Sequence, residues 1–279
     1  MKETGILSFE IISKELSRLR NKDMRTNFFL SEEKWNFLKE EHEAVIYTSD
    51  HGFYFLIRLD GFYKYFFITN EKDDLQKNLV LIQKKFENDI VVCEIVGNED
   101  YLADIQTQFT KAGEFNEYTR LVRMSRMRSG NKIFEFSPPV HLLSMDRISE
   151  LQSLFLKYFN KFAEQIPTWN ELEKMVQAGN VYYYSDNTDI QGFIIFERSG
   201  IISHLRYWFV HPEYRGKKIG SQLMNLFFTK FEEVRREIFW VIDTNENAIK
   251  RYKHFGYLEE KIYNIVLINK KLEYEEQNN

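Results

Sequence analysis

Apolar residues recur along this chain in two rhythms, one every three to four positions and one every second position. Ile148, Leu151, Leu154, Phe155 and Phe159 predict a helix over Ile148–Phe162, and Asn170–Gln177 predicts another. Runs rich in aromatic and β-branched residues predict strands at Val181–Ser185 and Gln191–Arg198, joined by the turn-forming DNTD. A second turn at Ser199–Gly200 leads into a strand over Ile201–Val210. The stripe Ile219, Leu223, Leu226, Phe227 and Phe231 predicts a helix over Lys218–Glu233. The strand Ile238–Asp243, the helix Ala248–Phe255 and a strand pair over Tyr257–Ile268 complete the second half.

The first half follows the same plan. SEEKWNFLKEEHEAVIYTSD (Ser31–Asp50) parallels TWNELEKMVQAGNVYYYSD (Thr168–Asp186) in a Trp–Asn pair and a strand ending in Ser–Asp. Strands are predicted at Phe53–Leu59 and Tyr63–Thr69, with a turn at Asp60–Gly61 that parallels Ser199–Gly200. Leu75, Leu79, Ile82 and Phe86 mark a helix, followed by the strand Ile90–Val96, the helix Asp100–Ala112 and the strand Asn116–Met124. Gly113 parallels Gly256, and the offset between halves grows from 134 at Trp35/Trp169 to 143 at these glycines, as small loop insertions produce. Two unrelated α+β domains of similar rhythm are the alternative to a repeat. Ser129–Gly130 and Pro138–Pro139 punctuate the pattern and place a linker over Arg128–Pro139.

Composition narrows the class. Of 279 residues 43% are hydrophobic and 16% aromatic, enough for packed cores and too much for disorder. The net charge of −4 gives no broad basic field for nucleic acid. The one cysteine, Cys93, sits in the apolar run IVVCEIV; it excludes an internal disulfide and any cysteine-based zinc cage, and no metal site is expected. The N-terminus lacks a signal-peptide core, and no stretch is long and apolar enough to span a membrane. A soluble cytoplasmic protein is the expectation.

One segment carries chemistry. RGKKIGS (Arg215–Ser221) lies between a predicted strand and a predicted helix. Unpaired N–H groups at a helix start, the helix dipole, two glycines and three cations together make an anion cradle. After one further helix and strand comes NENAIKRYKHFGY (Asn245–Tyr257). In this order the two segments resemble the signature motifs of the GCN5-related N-acetyltransferase (GNAT) superfamily. The first resembles its pyrophosphate motif Q/R-x-x-G-x-G/A, with Arg215 and Gly220 in place and Lys218 where the family has its central glycine. The second matches N-x-x-A-x-x-x-Y-x-x-x-G-F/Y throughout.

The resemblance implies a mixed α+β fold of two GNAT-like domains, 1–130 and 131–279. Each has a mostly antiparallel sheet flanked by helices, and the second has splayed parallel central strands. It implies acetyl-CoA as co-substrate, held by Phe209, Val210, Arg215, Gly216, Lys217, Lys218, Ile219, Gly220, Ser221, Asn245 and Asn247. It implies Tyr252 as general acid to the departing thiolate, although a tyrosine there can also be a plain core aromatic, and Asn245 can be a helix cap. His204 is a candidate base, because some relatives with aromatic amine substrates carry a histidine there; a structural histidine or a route through water are the alternatives. Even spacing puts His204, Arg206 and Trp208 on one strand face and Leu205, Tyr207 and Phe209 on the other, unless the bulge common in this strand of the family intervenes. Tyr182, Tyr183, Tyr184 and Trp208, with Ile166–Trp169 as a lid, are open to an acceptor pocket, though strand aromatics are more often packing residues.

The first half reads NEKDDLQKN (Asn70–Asn78) where the second reads PEYRGKKIGS, and Phe109 stands in the place of Tyr252. It is expected to be a degenerate copy without cofactor. The function implied is transfer of an acetyl group to a primary amine on a small molecule or peptide. A coenzyme-binding sensor or scaffold and transfer of a longer acyl chain are the alternatives. No nucleic-acid or membrane partner is expected, and a monomer is plausible.

Overall fold

The structure, a computed structural model, describes residues 2–39, 43–128, 139–186, 188–230 and 233–272, with side chains from residue 5 onward. The expected linker lies, but for its two ends, outside the described residues, as does Phe231. The first half runs β1 (Lys2–Gly5), α1 (Phe9–Arg18), β2 (Arg25–Thr26), α2 (Glu32–Lys39), β3 (Ala44–Thr48), β4 (Gly52–Leu59), β5 (Phe62–Thr69), α3 (Lys72–Lys85), β6 (Val91–Gly97), α4 (Glu99–Gly113) and β7 (Asn116–Met127). The second runs β8 (Val140–Leu142), α5 (Ile148–Tyr158), α6 (Trp169–Gln177), β9 (Val181–Tyr184), β10 (Gly192–Ser199), β11 (Ile202–Val210), α7 (Ile219–Lys230), β12 (Arg236–Ile242), α8 (Glu246–His254) and β13 (Leu258–Ile268). Short helical turns stand at Met145–Arg147 and Pro212–Tyr214.

Two compact units result, and their borders cut across two strands. Among the described residues the first unit holds those up to Leu121 together with Lys261–Leu272, and the second runs from Val122 to Glu260. Among the described residues the units divide at 121/122 and at 260/261. β13 is one strand rather than the expected pair, and it changes unit at Lys261, whose φ of 54° breaks the extended run.

In the first unit the strand order is β1-β3-β4-β5-β6-β13, with β2 on β5. Pairing is antiparallel except between β5 and β6. The two-residue period of β4 builds two layers at once. Phe53, Phe55 and Ile57 meet Ile12, Leu19 and Trp35 on the α1–α2 side, while Tyr54 and Leu56 meet Leu75, Ile82, Ile105 and Phe109 on the α3–α4 side. In the second unit the order is β7-β12-β11-β10-β9-β8, and of the pairs from β12 to β8 only β11–β12 is parallel. Ile148, Leu151, Phe155, Leu172 and Met175 cover one face against Phe193, Ile195, Tyr207 and Phe209. α7 covers the other, where Phe227 meets Phe196 edge-on at 5.2 Å.

Two of the residue parallels between halves do not hold. Trp35 is the fourth residue of α2 and fully buried, its indole donating to the Leu7 carbonyl, whereas Trp169 opens α6, is 39% exposed and bonds Glu173. Gly113 stays helical, and Glu114 takes the left-handed turn (φ 54°) that Gly256 takes in the second half (φ 87°). Phe109, like Tyr252, is buried near a helix end, but the Phe115 N–H donates to its carbonyl from six residues on, where the Tyr257 N–H reaches the Tyr252 carbonyl from five.

Candidate active site

β11 treats its two neighbours differently. Its pairing with β12 covers only Ile202, Ser203 and His204, opposite Arg236, Glu237 and Ile238. Beyond His204 the strands part, and a gap opens along Leu205–Val210. Pairing with β10 continues to the end of the strand, at Val210 opposite Gly192, and the His211 N–H donates to the Gln191 carbonyl at 2.9 Å. Alternate residues of an antiparallel strand turn their N–H and C=O toward a given neighbour. His211 faces β10, so Val210 and Trp208 turn their backbone groups into the gap. An extended, amide-bearing chain can bond to such an edge as an added strand does. Phe209 turns its backbone toward β10 and its ring into the core beside Phe193, 5.3 Å away.

The face assignment expected from even spacing is overturned by a bulge. Ile195 pairs with Tyr207 and Phe196 with Leu205, which leaves Arg206 as the extra residue. Arg206 turns to the α5–α6 side with Tyr207, and its guanidinium reaches Glu197 at 3.1 Å and Glu171 at 3.3 Å. Leu205 shares the α7 side with Phe196, and Trp208 shares it too. A buried arginine held by two carboxylates fixes the bulge, and with it the direction of everything that follows on the strand.

Trp208 forms a wall of the gap. Its ring lies 5.5 Å from that of Tyr252 on α8, which packs in turn on Phe239 at 4.2 Å. The indole Nε1 is buried without a hydrogen-bond partner. Gly220, in the first turn of α7, lies against the same ring: a Cβ there would stand 2.9 Å from Trp208 Cζ2 and 3.4 Å from Val210 Cγ2. Burial pushes the Tyr252 phenol well above its ordinary pKa, so it keeps its proton throughout the neutral range.

The basic turn leads into α7 beside this wall. Gly216 has φ 81° with open space around it, and Lys218 has φ 64°. The left-handed backbone at Lys218 explains why a glycine suits this position, and Lys218 adopts it at a cost of about 1 kcal/mol. Lys217 and Ser221 are exposed, and Ile219 is buried in the helix–sheet packing. Burial and the positive charge of Arg251 together hold the Arg215 pKa below its usual value. Arg251 therefore adds a second cation near Arg215, one that sequence reasoning missed; its only signal was its place one residue before Tyr252. Asn245 caps α8, its Oδ1 accepting from the Ala248 N–H at 3.0 Å, and Asn247 is exposed in the first turn. The expected helix-cap role of Asn245 is thus seen directly. Among the described residues no three His, Cys, Asp or Glu side chains gather as for a metal ion.

The histidines lie at opposite ends of the gap. His204 sits where β11–β12 pairing stops, four to six residues back from Trp208 and Val210, or roughly 13–20 Å along the strand. His211 follows Val210 directly. Its Nδ1 accepts from the Glu213 N–H at 3.4 Å, and its Nε2 shares a hydrogen bond with the Tyr158 hydroxyl at 2.8 Å. Tyr182 stacks on Phe196 at 5.6 Å, and Tyr183 lies under Arg147 at 4.5 Å, so both act in packing.

Glu164 was not anticipated. It lies between α5 and α6, where Tyr207 donates its hydroxyl to the Gln165 carbonyl at 2.6 Å. Burial pushes its carboxyl up to about 7, against the smaller opposite pull of the Asn160 N–H. Folding therefore favours the protonated acid. That stability is complete below the ordinary carboxyl pKa of 4.5 and is lost as pH rises through about 7. Thermal melts across this window should show the midpoint falling, and Glu164→Gln should remove that part of the fall.

Residues 148–257 match the model of the acetyltransferase (GNAT) family. Solved structures share the fold over nearly the whole chain. A GCN5-related N-acetyltransferase from Sphaerobacter thermophilus matches with TM-score 0.60 and 11% identity, covering 96% of this chain and 95% of that one. A GNAT-family acetyltransferase from Colwellia psychrerythraea matches with TM-score 0.56 and 12% identity, covering 96% and 98%. A tandem GNAT protein from the clavulanic acid biosynthesis pathway matches with TM-score 0.54 and 10% identity, covering 96% and 98%. Comparison with curated protein sequences finds no match.

Proposed function

We propose that this chain moves an acetyl group from acetyl-CoA to a primary amine, using the second unit alone; the match of residues 148–257 to the GNAT acetyltransferase family model supports this reading. The observation that carries the proposal is the gap beside β11, into which Val210 and Trp208 turn their backbone groups. The residues fit the coenzyme: an orphaned indole N–H waits in the wall, Gly220 leaves no room for a side chain, and Arg215, Lys217, Lys218 and Arg251 supply charge for its phosphates. The coenzyme supplies an acyl thioester. Val210 and Trp208 bind its amide-bearing arm along the strand edge and offer an N–H to the carbonyl oxygen. The amine lone pair attacks the carbonyl carbon, the C–N bond forms and the C–S bond breaks; the Tyr252 phenol gives its proton to the sulfur, and the proton lost from the nitrogen passes through water to restore the phenol.

Tyr252→Phe removes that proton and little packing. Coenzyme affinity should stay within about twofold, while kcat falls roughly 10²-fold or more. Equal turnover in the variant would take Tyr252 out of the mechanism. The activity itself is tested on the full chain by following free thiol with acetyl-CoA and a panel of small amines and peptides, with propionyl- and longer acyl-CoA in competition. A second reading, coenzyme binding without transfer, is favoured by His211: with both ring nitrogens engaged, the histidine beside Val210 is no free base. Turnover with any amine excludes it.

A further inference from the structure

The first unit has the same parting of parallel strands and fills it with its own chain. β5 and β6 pair only where Tyr63 and Lys64 stand opposite Val91 and Val92. Residues 25–28, from the connection between α1 and α2, lie in the opening beyond. β2 pairs antiparallel with β5, Arg25 opposite Thr69 and Thr26 opposite Ile68. The Asn27 N–H then donates to the Phe67 carbonyl at 3.3 Å, and Asn27 Oδ1 accepts from the Phe67 N–H at 2.8 Å. Asn27 Nδ2 donates to the Tyr65 carbonyl on β5 at 2.9 Å and to the Glu94 carbonyl on β6 at 3.0 Å. One side-chain amide thus bridges both parted strands. Tyr101 of α4 holds the insert by donating to the Thr26 carbonyl at 3.3 Å. Lys64 and Glu94 add an ion pair of 2.5 Å across the same opening, and Asn264 donates to Glu94 at 3.0 Å.

We infer that residues 25–28 are a built-in occupant of the lane in which this fold would otherwise receive a coenzyme arm, Asn27 making the hydrogen bonds that a pantetheine amide would make. The second unit shows the contrast. Its α5–α6 connection, residues 159–168, is three residues shorter than the α1–α2 connection, residues 19–31. It is held on the sheet face by Tyr207 rather than on a strand edge. The first unit is therefore closed to coenzyme by bonded chain, and the acids Asp73 and Asp74 at the start of α3 are not the only barrier. The inference rests on the coenzyme reading of the second unit only for the identity of the excluded ligand.

The test uses the full chain, acetyl-CoA titration and amide hydrogen exchange. One equivalent should bind. The Phe67 amide should exchange slowly and equally with and without coenzyme, while amides of 205–211 gain protection. Asn27→Ala and Asn27→Asp, which both lose the donor to two carbonyls, should lower the melting temperature by roughly 5–10 °C. Two equivalents bound, coenzyme-dependent protection at Phe67, or an unshifted melt in both variants would overturn the inference. Zero equivalents with slow exchange at Phe67 would overturn the transfer reading of the second unit and still support a filled lane in the first.

Discussion

A chain cut to residues 131–279 should not fold, although it contains the whole of the family-matched segment. The second unit begins at Val122, and the cut removes Arg126 on β7. Arg126 bonds Glu237 at 2.6 Å and the Phe255 carbonyl at 2.8 Å, and its guanidinium stacks on Phe228 at 4.1 Å. Glu237 is 1% exposed, and its other close bond is to the Tyr257 hydroxyl at 2.6 Å. Without Arg126 a carboxylate is left buried and under-compensated, which costs about 3–5 kcal/mol against a total stability of only about 5–15 kcal/mol. The fragment also keeps β13 while losing its partner β6, exposing Ile265–Ile268 as an apolar edge. Aggregation or a non-cooperative urea transition is expected, whereas full-length Arg126→Met should fold with stability reduced by about 3–5 kcal/mol. A monomeric, cooperatively unfolding fragment would refute this account.

Gly220→Asp should abolish tight coenzyme binding, and Gly220→Ala should already weaken it. Negative charge beside the phosphates is one reason, the one the motif suggests. The structure adds a steric one, because a Cβ would stand 2.9 Å from the Trp208 ring, which also packs against Tyr252 with ring centroids 5.5 Å apart. Displacing a packed ring costs about 1–3 kcal/mol, or roughly 5- to 150-fold in affinity for a ligand that needs the wall in place. Calorimetry on the full chain should give that range for Gly220→Ala and a further tenfold for Gly220→Asp. An unchanged Kd in Gly220→Ala would show that the ring is not part of the site.

The sequence made some of this visible and hid the rest for physical reasons. The RGKKIGS turn and the NENAIKRYKHFGY helix are local: glycine, charge and helix period lie within a few residues, so both could be located by inspection. The alternating strands were legible for the same cause. Arg206 was not, because a bulge depends on what Glu171 and Glu197 offer from other elements, and one extra residue exchanges strand faces. The Trp35/Trp169 parallel misled because two Trp–Asn pairs look alike while standing three residues out of step in their helices. Asn27 bridges strands 40 and 67 residues away, and no local pattern marks it. Glu164 and Arg251 matter through burial and neighbouring charge, which spacing does not report.

The crossing of β7 and β13 between units has a consequence for how this chain is made. Synthesis proceeds from the N-terminus at about 5–20 residues per second. β6 emerges early, but the Asn269 side chain that accepts from its Val91 N–H lies 178 residues further on. For on the order of ten seconds or more the nascent first unit carries an open strand edge, which is the kind of surface that chaperones cover. Neither half can be released, duplicated or recombined as a module without leaving the other short of a strand.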